Sequence, residues 1–434
     1  MNRESEPPGA TKASERIENA ARASASLRHD LGQRLDAAVD ATFDAEQITW
    51  LENLVNLPSF SRSPEDVEKA ALFVEASCRE LGLEVERVEV SSREFASHRV
   101  YSTPGVRHSQ QALALVGHVD TVFPRSLGFL AMRREDDAAK PGDKIFGPGV
   151  LDMKSGLSAI VFALKAWRAV DPQGWNRCPV RFVCNTDEEV GSPSSAALFE
   201  RLAPSTWAAL IFEAGRVADK IVTRRKGGAS FTIQAIGKAA HSGNDHAAGV
   251  SAIHALCLLI PQIEALTDYS RNLTINVGTI TGGTSRNTVP ESAQCEIDAR
   301  FATKSDADGL VAAIEELVRE PFKGYSVPDK LHEVKFELKS RIGRPPMEAI
   351  AGTSQLVRAY ASCASAVGLG SQEAGLQGGG SDANLLAAAG VPSIDGLGPF
   401  GQYFHQTQEW SSLASLRART KALARFLAAC ASQD

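Results

Sequence analysis

The chain has 434 residues, 43% of them hydrophobic and 23% charged, with 35 glycines and a formal net charge of -6 at pH 7. That length exceeds what one hydrophobic core usually serves, so two domains are expected, and the composition excludes general disorder. Charges of both signs are interspersed without a basic stripe, which argues against nucleic acid as a partner.

No stretch of about 18 apolar residues runs uninterrupted, and the first residues lack the apolar core of a secretory signal. A cytoplasmic protein with no membrane partner is therefore expected. The seven cysteines (Cys78, Cys178, Cys184, Cys257, Cys295, Cys363, Cys430) are scattered without CxxC spacing. They read as small buried hydrophobes, so a metal bound here would have to be held by His and carboxylates.

Residues 1–28, rich in Ala, Ser, Arg and Glu with a Pro-Pro-Gly, read as a flexible N-terminal arm. From Asp44, taken as an N-cap, AEQITWLENLVNL has helical spacing, and PEDVEKAALFVEASCRELGL repeats it, so two helices are predicted before the first strand. LEVERVEV alternates as a half-buried strand and ALALVGHVD is a short apolar run that predicts a central strand. MKSGLSAIVFALKAWRAV predicts a helix, PVRFVCNTDEEVG a strand ending in an acidic loop, SSAALFERLA a helix and AALIFEAG a buried strand. This alternation implies an α/β domain over residues 29–223, with a mostly parallel sheet and helices on both faces.

Near Arg224 the pattern changes. ASFTIQAIGKA, GVSAIHALCLLIPQIEALT, LTINVGTITGG, AQCEIDARF, SDADGLVAAIEELVRE and LHEVKFELKS read in order as βαββαβ. That is an α+β ferredoxin-like unit able to bury its own two-layer core, placed as an insertion at residues 224–338. The first domain resumes over residues 339–434 with a helix, the Gly-rich turn GLQGGGSDAN, the strand VPSIDGLG and a final helix from about Ser411.

GHVDTVFP, NTDEEVGS and IFEAG stand at the ends of predicted core strands, where ligands bind in open α/β sheets, so their His and carboxylate residues can converge. Asp152 in GPGVLDMKSG and His405 in QYFHQTQEW join the set. Singly, each has an ordinary explanation: Asp152 as a helix cap, Glu188-Glu189 as a solvated turn. His29, His98, His108, His254 and His332 are read as ordinary core or surface histidines. The turn GLQGGGSDAN lacks the GK[ST] ending and preceding strand of a phosphate loop.

In order and in surrounding letters, GHVDTV, LDMKSG and DEEVGS resemble the two-zinc metallopeptidase family of glutamate carboxypeptidase, succinyl-diaminopimelate desuccinylase and acetylornithine deacetylase. The resemblance covers roughly residues 46–434 and is greatest to glutamate carboxypeptidase. It implies two Zn2+ per chain, with Co2+ or Mn2+ as substitutes. His118 and Glu213 would hold one ion, Glu189 and His405 the other, with Asp152 bridging. It assigns Glu188 as general base and Asp120 as the partner that orients the His118 ring. Glu188 and Glu189 are expected to diverge because successive side chains point apart at an extended strand end.

The inserted unit corresponds to the family's dimerisation lid. His241 would polarise the scissile carbonyl in the partner's site, which implies a homodimer, and Asn287 would assist. Arg344 and Arg300 resemble positions that hold a substrate carboxylate, a structural ion pair being the competing reading for Arg300. Gly379 and Gly380 would shape the pocket floor, with Asp382 capping the next helix. The resemblance also implies a cis peptide between Asp152 and Met153. Where the family often has Pro after the metal-binding Glu, Glu213 is followed by Ala214.

The expected activity is zinc-dependent hydrolysis of an amide bond next to a free carboxylate, on a small peptide or N-acyl amino acid. The alternatives are an N-acyl amino acid or diamino acid deacylase using the same residues, and a non-catalytic binding protein on the same scaffold.

Overall fold

The computed structural model describes residues 8–135 and 142–432. The chain divides into two compact units: Met1–Thr223, Ala349–Gly375 and Ser381–Asp434 form one, Arg224–Glu348 and Leu376–Gly380 the other.

The first unit is an α/β fold around a six-stranded sheet. Its spatial order is Glu84–Val88, His98–Ser102, Val180–Asn185, Ala112–His118, Thr206–Ile211 and Ser393–Ile394. The last four run parallel, while the first two pair antiparallel along one edge. Ala112–His118 and Thr206–Ile211 are buried at every position, as strands covered on both faces must be. Their apolar residues share one core with Ile160, Leu164 and Trp167 of the helix Ser155–Val170 and with Leu423 and Leu427 of the helix Leu413–Ala431. Each such side chain contributes about 1.5–3 kcal/mol by leaving water.

Several local expectations are corrected. Within the stretch read as a flexible arm, Pro8–Ala25 is a helix, and residues 1–7 lie outside the described residues. Ile17, Ala20 and Ala23 are buried, and the helix packs on Thr353–Ser365. Asp44 caps nothing: it lies in a wide turn, Phe43–Gln47, that joins the helices His29–Thr42 and Ile48–Val55. More than two helices thus precede the first strand. The strand His98–Ser102 was not anticipated. Nor was a small antiparallel sheet of Gly401–Gln402, Trp410–Ser412, Lys144–Phe146 and Arg133–Arg134. Pieces of two or three residues carry no readable periodicity. The first two of them form a hairpin, Gly401 pairing Ser411 and Gln402 pairing Trp410, and its loop carries His405.

The second unit has the expected βαββαβ order. Its antiparallel sheet runs Thr274–Gly282, Ser292–Phe301, Gly227–Ile236, Lys335–Arg344. Phe231, Ile233, Ile297 and Phe301 pack against Leu256 and Leu259 of the helix Ala252–Glu264 and Leu310 and Ile314 of the helix Lys304–Arg319. The last strand continues past a bulge so that Arg344 pairs with Gly228. This unit therefore extends beyond residue 338, the boundary expected from sequence, and takes in Arg344 and the segment Leu376–Gly380.

Candidate active site

Each element of the first unit that carries a motif ends in the same place. His118 closes the strand Ala112–His118, Glu213 lies two residues past Thr206–Ile211, and Glu188 and Glu189 follow Val180–Asn185. Asp152 lies in the turn Val150–Lys154 that leads into the helix Ser155–Val170, and the Asp152–Met153 peptide is cis, as expected. The helix start is pressed against the strand end that carries Glu213: a Cβ on Gly156 would lie 2.2 Å from the Phe212 carbonyl oxygen. Only glycine fits there. The Glu188–Val190 segment is a single 3-10 turn, not the extended strand end expected.

The Asp152 carboxylate is flanked by two imidazoles, one at each oxygen. His118 Nε2 is 3.3 Å from Oδ1, and His405 Nε2 is 3.3 Å from Oδ2. Glu213 Oε1 lies 3.7 Å from His118 Nε2, and Glu189 Oε2 lies 3.0 Å from His405 Nε2. On its other side the His118 ring is fixed by Asp120, whose main-chain oxygen is 3.0 Å and Oδ1 3.4 Å from Nδ1.

Burial alone would lower the His118 pKa, but Glu213, Asp120 and Asp152 hold it well above its ordinary value. Burial would raise Asp152, yet the two imidazoles keep it below the carboxylate range. Burial and then the Asp152 charge push Glu189 up to about 8 and Glu213 well above its ordinary value. His405 is carried up to about 10 by its contacts with Asp152 and Glu189. The cluster thus concentrates more buried negative charge than its own imidazoles can comfortably neutralise.

These residues fit divalent cations. Among the described residues His118 Nε2, Asp152 Oδ1 and Glu189 Oε1 are buried without a hydrogen-bond partner, which is costly unless something else satisfies them. One ligand atom each from His118, Asp152 and Glu189 lie within 4.8 Å of one another, as do those of His118, Glu188 and Glu213. Imidazole nitrogens and carboxylate oxygens are the donor set of catalytic zinc sites. Glu188 and Glu189 fall in different groupings, and they sit on a turn instead of a strand end.

Two buried residues outside the expected set hold this geometry. Glu409 Oε1 accepts from the N–H groups of Leu151 (2.7 Å) and Asp152 (3.1 Å), and burial pushes its pKa up to about 8. Ser61 Oγ donates to Asp120 Oδ2 at 2.7 Å. Glu409 stands four residues after His405, inside the quoted motif QYFHQTQEW, so its acidity there was a usable signal. Ser61 gave none. His98, read as ordinary, is buried between the hydroxyls of Thr186 (3.0 Å to Nδ1) and Ser194 (3.1 Å to Nε2). The helix expected to be capped by Asp382 is capped by Ser381, in a box with Asn384, because Ser381 is the last non-helical residue. The Asp382 carboxylate accepts from Ser192 Oγ at 2.6 Å instead.

The remaining expected residues belong to the second unit. His241 and Asn287 adjoin on a two-stranded ladder, where the Ser242 N–H donates to the Asn287 carbonyl at 3.0 Å. His241 Nδ1 accepts from the N–H groups of Gly243 (3.1 Å) and Asn244 (3.2 Å), which leaves its proton on Nε2. Arg300 and Arg344 flank Gly228 on the two neighbouring strands. Arg300 is engaged by Asp298 through two bonds of 2.9 and 3.0 Å, the structural pairing weighed from sequence. Gly379 O accepts from Arg225 Nη1 at 3.0 Å, and a Cβ on Gly380 would meet Arg344 Cδ at 2.7 Å, so glycine there makes room for that arginine.

The sequence model of peptidase family M20/M25/M40 matches residues 114–429. Carboxypeptidase G2 of Pseudomonas sp. (strain RS-16) is 29% identical over 404 residues, covering 92% of this chain and 93% of its own. Among solved structures, aminopeptidase PepT of Bacillus cereus superposes with a TM-score of 0.72 at 20% identity, covering 89% of this chain and 98% of its own. The YXEP protein of Bacillus subtilis, described as a dinuclear metal binding peptidase from the M20 family, does so at 0.64 and 16% identity, covering 89% and 98%. These two likenesses concern the fold. Among the described residues no helix is long and apolar enough to cross a membrane. With its family model spanning most of the chain and its acid–imidazole cluster at the strand ends, the protein belongs to peptidase family M20/M25/M40 and is a metallohydrolase acting on peptide bonds.

Proposed function

We propose that the chain is a two-zinc carboxypeptidase-like hydrolase that cleaves an amide bond next to a free carboxylate. The observation that carries this reading is the placement of two imidazoles on opposite oxygens of Asp152. His118 and Glu213 would hold one cation and Glu189 and His405 the other, with Asp152 shared. When bound, such cations would polarise the scissile carbonyl and acidify the attacking water.

The chain's own groups do the rest. Glu188 takes a proton from the attacking water and delivers it to the amide nitrogen as the C–N bond breaks, leaving a carboxylic acid and an amine. Asp120 keeps the His118 ring in one orientation. His241, its proton held on Nε2, donates to the carbonyl oxygen in the site of a second copy, which makes the working enzyme a homodimer. Asn287 supports it.

Arg344 reads the substrate carboxylate, because a guanidinium fork binds two oxygens and cannot lose its proton. Arg300, occupied by Asp298, contributes less. The name of the relative matched over nearly the whole chain, carboxypeptidase G2, favours a C-terminal amino acid as leaving group.

The test is a panel of peptides and N-acyl amino acids, each as free acid and as C-terminal amide. Cleavage of the free acids alone is expected, and equal cleavage of the amides would refute carboxylate recognition. Preference for short N-acyl groups over peptidyl groups would turn the reading to a deacylase. The shared site has its own test. Mixing inactive His241→Ala with inactive Glu188→Gln should recover part of the activity, and none despite proven subunit exchange would exclude it.

A further inference from the structure

We propose that Ser61 is a positioning residue for the Glu188 general base, acting through Asp120. The inference rests on the reading of Glu188 given above.

The sequence places Ser61 in the irregular stretch LPSFSRSP, after one helix and before the next, where no periodicity or motif marks it. In the fold this stretch runs beside the end of the strand that carries His118. Thr121 N–H donates to Ser59 O at 2.8 Å, and Ser61 N–H donates to Thr121 O at 3.1 Å. The main chain therefore anchors the loop without help from the Ser61 side chain.

The hydroxyl is 2.7 Å from Asp120 Oδ2, with the Thr121 carbonyl a more distant acceptor at 3.3 Å. Ser61 is 1% exposed and Asp120 0%. Its one proton goes to the nearer acceptor, the Asp120 carboxylate.

Asp120 is where the two halves of the site meet. Its Oδ1 accepts from the Glu188 N–H and its Oδ2 from the Glu189 N–H, each at 3.2 Å. The same carboxylate and its main-chain oxygen also fix the His118 ring. One buried side chain thus sets both the orientation of a proposed ligand and the position of the turn that carries the proposed base. Among the described residues, Ser61 is the donor to that carboxylate that comes from outside the site's own residues. Without it Oδ2 would keep the Glu189 N–H at 3.2 Å but lose its shorter bond, the 2.7 Å one from Ser61, so the carboxylate would be held less firmly and the Glu188 turn would shift with it. Displacements of about 1 Å at such a place cost up to about 100-fold in rate.

Ser61→Ala is therefore expected to lower kcat about tenfold or more, with KM changed less than about twofold and metal content intact. Ser61→Cys keeps the size and offers a weaker donor, so its kcat should fall between the two. It carries the same comparisons if Ser61→Ala fails to fold. The deciding comparison is made in a Glu188→Gln background, where the loss caused by Ser61→Ala should largely disappear, since a base already removed cannot be misplaced. The same fold-loss in both backgrounds, or loss of metal in Ser61→Ala, would overturn the proposal. Wild-type turnover in Glu188→Gln alone would overturn the reading on which it rests.

Discussion

The cluster of the first unit and the cationic and imidazole groups of the second differ in how far the chain satisfies them. In the first, His118 Nε2, Asp152 Oδ1 and Glu189 Oε1 are buried and make no hydrogen bond among the described residues, although His118 Nε2 and Asp152 Oδ1 face each other at 3.3 Å. In the second, Arg300 donates along one edge of its guanidinium, from Nε and Nη2, to the Asp298 carboxylate, and His241 Nδ1 accepts from two main-chain N–H groups. Buried donor and acceptor atoms left over by the fold point to something the chain binds. A charged side chain that already has its partner does not.

The strongest way to break this comparison is to remove what the first region is built to hold. Chelation is expected to abolish turnover, and Glu188→Gln to lower kcat by about 10² or more while metal is retained. Glu189→Gln should weaken metal binding instead. If both variants lost metal equally, the division of roles between neighbours would fail. Next in size is a contrast within the second unit. Arg344→Lys should raise KM about tenfold or more, the loss of one charge-assisted hydrogen bond worth about 1.5–3 kcal/mol. Arg300→Lys should move KM far less, because Asp298 already occupies that guanidinium. Similar effects at both positions would remove the distinction between Arg344 and Arg300 as readers of the carboxylate.

A smaller effect concerns stability. Zinc at a hundredfold excess over its Kd should stabilise the folded protein by about 2.7 kcal/mol, read as a rise in Tm that Asp152→Ala removes. The smallest is the control pair Asp66 and Arg125, bonded at 2.7 and 2.8 Å with the arginine half exposed. Arg125 lowers the Asp66 pKa to about 2, so the pair's contribution is complete above the ordinary aspartate value of 3.8 and is lost as pH falls through about 2. Solvent screening keeps it small. Asp66→Asn should therefore cost little Tm at pH 7 and nothing further in acid, and a large loss would contradict the weight given to solvent exposure.

What was legible in the sequence follows the same line. His118, Glu189 and Glu213 stand at or after apolar runs that form buried parallel strands, which let them converge, but singly each had an ordinary explanation, and their roles were legible through the family resemblance of the motifs taken together. Ser61 donates to a group far away in the chain, and such a bond leaves no local pattern, whereas Glu409, four residues after His405, stood inside a motif already singled out. The helix Pro8–Ala25 was misread because its polarity suggested an arm, while its Ala, Glu and Arg residues favour helix and a few of them, with Ile17, find a core. The reach of the last strand of the second unit depended on Arg344 pairing with Gly228, a tertiary fact invisible in the letters.

The central claim is that Asp152, set between two imidazoles, is shared by two cations. It is tested most directly by counting tightly bound divalent ions per chain after metal-free protein is titrated with zinc. The account predicts two for the wild type, and one each for His118→Ala and His405→Ala, since each variant strips one ion's imidazole and leaves the other's. Binding of a single ion by the wild type, or loss of both ions in one variant and none in the other, would contradict it.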